Sequence, residues 1–153
     1  ELNESLLLYV RHMAWLSATP EKEEVSRAES FDRTGSPFLK LPDVGSSYYV
    51  VKYWQDCGSV GYGSSGIVPL SWTEIRNWRE ENDLEIDYRE RKMIREMSKA
   101  YVSEFYASKD PNRPAPYSIE VVELDRKDVS NKIANVLSGF KKSTRTDNSY
   151  TAE

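Results

Sequence analysis

Residues 69–106 read PLSWTEIRNWREENDLEIDYRERKMIREMSKAYVSEFY, and no other stretch constrains the fold as strongly. After Ile86, the residues Met93, Met97, Tyr101 and Phe105 follow at gaps of seven, four, four and four, with Ile94 and Ala100 widening the stripe. That is the helical period and not the strand period. Ser71 and Glu74 stand at capping-box spacing, where hydroxyl and carboxylate each satisfy an orphan backbone N–H. The pattern predicts one helix over 72–81 with Trp72, Ile75 and Trp78 facing inward, punctuation at Asn82 or Asp83, and a second helix over about 86–107. Nothing in this stretch forms a constellation that does chemistry.

The flanking segments carry shorter versions of the same signal. Over residues 3–17, Leu6, Leu7, Val10, Met13, Ala14 and Leu16 make a helical face with Asn3 as its expected cap. Thr19-Pro20 ends it, because a residue before proline is biased away from helical angles. Residues 18–45 are polar and carry Pro20, Gly35, Pro37, Pro42 and Gly45. They read as a linker, with a short helical piece near 21–29 and with Leu39 and Leu41 as pins to the core. Val50, Tyr53, Trp54 and Cys57 at i, i+3, i+4 and i+7 predict a helix over 47–57, stopped at Gly58. A glycine-serine loop spans 58–66. Three prolines within 110–116 exclude a continuing helix, and Ile119, Val121 and Leu124 alternate as one short strand would. Val129, Ile133, Val136, Leu137 and Phe140 share one face of a last amphipathic helix.

The expected fold is therefore all-α: a small helical bundle with flexible joints and a disordered C-terminal tail. Its core domain is 46–108. An N-terminal helix, 1–17, joins through the 18–45 linker, and a C-terminal helix, 126–140, joins through a Pro-rich hinge at 109–125. Residues 141–153 are polar, with almost nothing to bury, and read as a disordered tail.

The chain of 153 residues has room for one domain with a real core. Four Trp, ten Tyr and four Phe bury much area per residue, so this core needs no metal or disulfide. The net charge of −4 argues against a domain that binds nucleic acid mainly through phosphates. One cysteine, Cys57, cannot form an internal disulfide, and one histidine, His12, cannot build a metal cluster alone; a reducing compartment is the inference. No run approaches the ~20 apolar residues needed to cross a bilayer, so no membrane partner is expected. No signal peptide is visible, although a chain that opens at Glu1 leaves room for an upstream segment.

Candidate chemistry is thin. Gly61, Gly63 and Gly66 match the dinucleotide string, but that motif needs a preceding strand and a helix opening at the glycines. Here the preceding period is helical, so a flexible connector is the expectation. Cys57 ends an apolar helical face and reads as a structural thiol. Glu80, Glu81, Asp83, Glu85 and Asp87 cluster at helix ends without a calcium loop's spacing. No catalytic residue, metal ligand or cofactor is assigned. A helix-turn-helix reading would make 86–107 a recognition helix, with Arg89, Arg91, Lys92, Arg95 and Lys99 on phosphates. Against it, Asp87, Glu90 and Glu96 interleave as in ordinary salt-bridge lacing. The face of Val129, Ile133, Val136, Leu137 and Phe140 is the more suggestive feature, either folded back on the core or offered to a partner.

From Tyr49 to Tyr106 the order of features resembles the tail assembly chaperones of tailed phages and prophages. The likeness lies in Tyr53-Trp54, the glycine-rich loop, Val68-Pro69-Leu70-Ser71-Trp72-Thr73-Glu74-Ile75, Trp78, and then Met97-Ser98 and Ala100-Tyr101-Val102. The resemblance implies a helical, non-enzymatic protein in the cytoplasm of an infected or lysogenic bacterial host. It would bind a helix-rich tape-measure or tail-tube protein during virion morphogenesis, and some such chaperones exist in a short and a frameshifted long form. The resemblance brings no catalytic residues. The segment after Pro116 has no counterpart in it, and a minor structural or completion protein of the tail is the neighbouring alternative.

Overall fold

A helix of twenty residues needs more cover than short neighbours can give, and this decides the architecture. In the computed structural model, which describes residues 2–119 and 127–135, the first unit runs Glu1–Tyr117 and the second Ser118–Glu153. The first unit contains α1 (Leu2–Ser17), α2 (Arg27–Thr34), α3 (Tyr48–Asp56), β1 (Gly61–Gly63), β2 (Gly66–Val68), α4 (Trp72–Glu81) and α5 (Tyr88–Ala107), with 3₁₀ turns at Pro37–Leu39 and Gly45–Ser47. The chain is mostly helical, as the periodicity predicts.

The α4 helix has the predicted bounds, and its capping box is formed: Ser71 Oγ accepts from Glu74 N at 3.1 Å, and Glu74 Oε2 accepts from Ser71 N at 2.7 Å. The α5 helix opens two residues later than expected, because Asp87 is its cap. Asp87 Oδ1 accepts from Glu90 N at 2.8 Å and Glu90 Oε2 accepts from Asp87 N at 3.0 Å. Ile86 is buried in the approach to the helix. Each cap satisfies two donors that would otherwise be orphaned. Ser71→Ala and Asp87→Ala should each lower stability by about 1 kcal/mol, and the double variant by about the sum, read as shifts of the urea midpoint.

The core is Leu6, Tyr9 and Val10 of α1, Val44, Val50, Val51 and Trp54 at α3, Leu70 and Ile75 at α4, and Ile94 and Met97 of α5. Here the separate N-terminal helix is corrected. α3 and α4 have only 9 and 10 residues, about half the span of α5 at ~1.5 Å per residue, and the 16-residue α1 lies along α5 and covers the rest of its stripe. Asn3 sits inside α1, which begins at Leu2, so it is not the cap.

The 18–45 linker is also corrected. Its helix is not at 21–29 but is α2, Arg27–Thr34, with Ser26 as N-cap and Gly35 in the left-handed region (φ 67°) as C-cap. Phe31 and Phe38 pack on Trp15 at 5.6 and 5.8 Å between ring centroids, tying the segment to α1. Of the two expected pins, Leu41 packs against the core, whereas Leu39 is half-buried in the 3₁₀ turn Pro37–Leu39.

The 58–66 connector is an antiparallel hairpin, pairing Gly61 with Val68, Tyr62 with Ile67, and Gly63 with Gly66. The fold is thus mostly α with a two-stranded sheet. Tyr106 Oη donates to Ile67 O at 2.9 Å, which holds the hairpin on α5. Gly66 has φ +128°, and a Cβ there would stand 2.5 Å from that hydroxyl, so this position needs glycine.

Nor is 109–117 a free hinge. Arg113 forms a two-pronged pair with Glu104 at 2.9 Å for both contacts, and Trp15 Nε1 donates to Arg113 O at 2.9 Å. In the second unit, 127–135 is helical. Ile119, expected in a short strand, is helical, while Val121, Leu124 and the expected tail 141–153 lie outside the described residues.

Candidate functional site

The basic row of α5 does not converge as a recognition surface. Ile94, Met97 and Val102 are buried, so one side of α5 belongs to the core. Lys99 Nζ pairs with Glu96 at 2.8 Å, Arg91 Nε donates to Asp87 O at 3.3 Å, and Arg95 lies over the Trp72 ring at 5.4 Å. Arg89 and Lys92 line a groove of about 560 Å³ beside α1 and α3. Its floor is Leu6, Val50 and Met93, and Glu90 and Glu96 alternate with the two cations.

Trp72, expected inward, is 44% exposed. Only Ile75 of α4 is fully buried, with Trp78 half-buried and its indole donating to Asp56 at 2.8 Å. The Trp72 ring stacks on Tyr88, which is 60% exposed, with centroids 6.2 Å apart and planes at 17°. Trp72 and Tyr88 are the first residues of two capped helices, so both rings stand on rigid supports. Spacing alone missed this pair, because Trp72 lies at the edge of the apolar arc and periodicity does not say where that arc ends.

On the predicted C-terminal face, Val129 and Ile133 are each 56% exposed, at i and i+4 of the helical stretch 127–135. Val136, Leu137 and Phe140 lie outside the described residues.

Several of the titratable groups weighed for chemistry have structural roles. Burial pushes the Cys57 thiol up to about 11, with Glu74 and Asp56 adding to the effect, so its nucleophilic thiolate is scarce at neutral pH. Among the acids, Asp87 is a cap, Glu80 pairs with Arg79 at 3.6 Å, and both line a hollow with Asp83 and Glu85. Gly61, Gly63 and Gly66 belong to a hairpin and open no helix. Among the described residues no group of three or more His, Cys, Asp or Glu is placed to hold a metal ion, and no helix is long and apolar enough to cross a membrane.

His12 is fully buried against Trp15 and Tyr117, and its Nε2 donates to Phe38 O at 2.7 Å. That bond leaves Nδ1 as the site of a second proton, and among the described residues Nδ1 has no partner. Burial therefore lowers its pKa below 6.5, only partly offset by the Phe38 bond. The unfolded chain takes up this proton at a higher pH than the folded chain does, so stability should be level above pH 6.5 and fall as the pH drops below it. Thermal melts across that range should show the loss, and a His12→Asn variant should lack it. Glu104 acts only in stronger acid: burial pushes its carboxyl up, but hydrogen bonds from Arg113 and Ser108 outweigh this and leave it below 4.5.

Compared with protein-family models, curated proteins and solved structures, the chain has no match.

Proposed function

We propose that this chain is a non-catalytic assembly factor of the tail-chaperone kind, acting by protein–protein contact on a helix-rich tail or tape-measure protein inside a bacterial host cell. The observation that carries the reading is the exposed apolar pair Val129 and Ile133, one turn apart on the helix at 127–135. A helix that leaves β-branched apolar side chains in water suits a groove or helix of a partner. A long, apolar-striped chain awaiting polymerisation gains from such cover, because exposed stripes aggregate. The resemblance over 49–106 supplies the partner class. A minor structural or completion protein of the tail would use the same contacts.

The DNA-binding reading has less support. It asks α5 to enter a major groove with five cations free, whereas α5 is a core helix and Lys99, Arg91 and Arg95 are engaged within the chain.

The test is co-expression of the tagged chain with the tail-tube and tape-measure proteins, followed by capture at high salt and mass spectrometry. Recovery of a tail protein that is lost on Val129→Asp with Ile133→Asp supports the reading. Recovery of nucleic acid alone, shed steeply as salt rises, overturns it.

A further inference from the structure

From the surface built by Trp72, Tyr88 and Arg95 we infer a docking site for an acidic segment of a protein partner; the inference rests on the protein-binding reading above and names a second contact surface with its chemistry. Two large aromatic rings remain at the surface, stacked on each other, on the first residues of capped helices. Trp, Tyr and Arg are the side chains that concentrate binding energy at protein interfaces, and all three meet here: the Arg95 guanidinium lies 5.4 Å from the centre of the Trp72 ring.

The charge around the rings selects the occupant. Arg76 follows Trp72 by one turn on α4, and Arg91 and Lys92 follow Tyr88 by one turn on α5. Arg76 and Lys92 are exposed, and among the described residues neither makes an ion pair or a side-chain hydrogen bond. Most acids of the same two helices are committed elsewhere, Glu80 to Arg79 and Glu104 to Arg113 among them, and Glu81 stands at the far end of α4 from Trp72. Glu74, Asp87 and Glu90 close the capping boxes, Glu90 also accepts from Tyr49 at 3.0 Å, and Glu96 is held by Lys99. A chain of net charge −4 thus presents free cations beside its exposed aromatic pair, and an acidic segment is their complement. A polyanionic nucleic acid would ask for a continuous basic groove. Here Arg91 is tied to the backbone of Asp87, and Glu90 and Glu96 break the row.

Fluorescence anisotropy on the full chain tests this with three labelled probes: a helical Glu/Leu peptide, its Lys/Leu counterpart and single-stranded oligo(dT). The Glu/Leu peptide should bind while the Lys/Leu peptide does not, and Arg76→Glu with Lys92→Glu should weaken binding about tenfold or more. Tyr88→Ala should weaken it without reversing any charge, and thermal melts of each variant report folding separately. Equal binding of both peptides, or binding unmoved by the charge reversal, overturns the inference. Preferential binding of oligo(dT) also overturns it and moves the surface to nucleic acid. If tail proteins are not captured while the Glu/Leu peptide binds in a Tyr88- and Arg76-dependent way, the tail reading falls and this surface stands. If tail proteins are captured and the peptide is not, the reverse holds.

Discussion

Arg27→Ala should lower unfolding free energy by about 3–5 kcal/mol, because it takes a charged donor from three carbonyls and each buried acceptor left unsatisfied costs about 1–3 kcal/mol. The Arg27 side chain is 6% exposed and closes two helix ends at once. Its Nη1 donates to Trp15 O at 3.2 Å, near the end of α1, and to Ser108 O at 2.6 Å, the C-cap of α5. Its Nη2 donates to Asp110 O at 2.8 Å, and the guanidinium lies 4.9 Å from the Trp15 ring centre. The last carbonyls of a helix have no intrahelical partner, and they carry the negative end of its dipole, so a cation there is favoured twice. Burial lowers the Arg27 pKa, while Glu104 and Asp110 act in the opposite direction. Alanine would leave these carbonyls without their donor and remove one cation from beside Glu104, which keeps its pair with Arg113. Arg27→Lys should recover only part of the loss, because an ammonium lacks the planar fork that reaches three acceptors. Urea titration at neutral pH reads both variants; an Arg27→Ala loss under about 1 kcal/mol would mean that water serves these helix ends equally well.

Trp54→Ala should cost a similar 3–5 kcal/mol, the range for removing a large aromatic side chain from a core. Trp54 is 1% exposed, sits among the buried residues of α1, α4 and α5, and meets Tyr101 at 5.5 Å between ring centroids. Trp54→Phe should cost much less, since most of the volume stays and the buried indole N–H, which has no partner among the described residues, is removed. Trp72→Ala makes the contrast. Losing a half-exposed ring and its stack with Tyr88 should cost about 1 kcal/mol, while its effect on acidic-peptide binding should be the larger one. Denaturation curves for the three variants, measured side by side, separate a core tryptophan from a surface one.

Much of the helical framework was legible because its signals are local. The S-x-x-E spacing at Ser71 and Glu74, the four-residue gaps from Met93 to Phe105, and Gly58 after the α3 face each act within a turn or two. The same spacing stands at Ser26 with Glu29, the cap of α2, and in acidic form at Asp87 with Glu90. The hairpin was harder. Its turn is Ser64-Ser65, without the Asn-Gly or Asp-Gly signature, and glycines fill half its strand positions. Tyr106, 39 residues from Ile67, supplies the anchor that a local reading lacks.

At the candidate surfaces, sequence picked out Val129 and Ile133 as one face and the cations of α5 as a row, but not what each cation touches. Lys99 pairs with Glu96 within α5, as the interleaved charges suggest, whereas Arg95, one turn away, lies on Trp72 of α4. That second contact depends on how the helices cross, which spacing along one helix does not contain.

By itself, then, the sequence determined where helices form and stop, since caps, prolines and apolar periods act over three or four residues. Only the tertiary structure decided that α1 is part of the core, that 18–45 is a built segment, and that Trp72 faces water. Those outcomes turn on contacts such as Arg27 with Ser108, 81 residues apart. Such contacts form only once burial of the α5 stripe has brought α1 alongside, and no local pattern encodes which distant carbonyl a buried cation will meet.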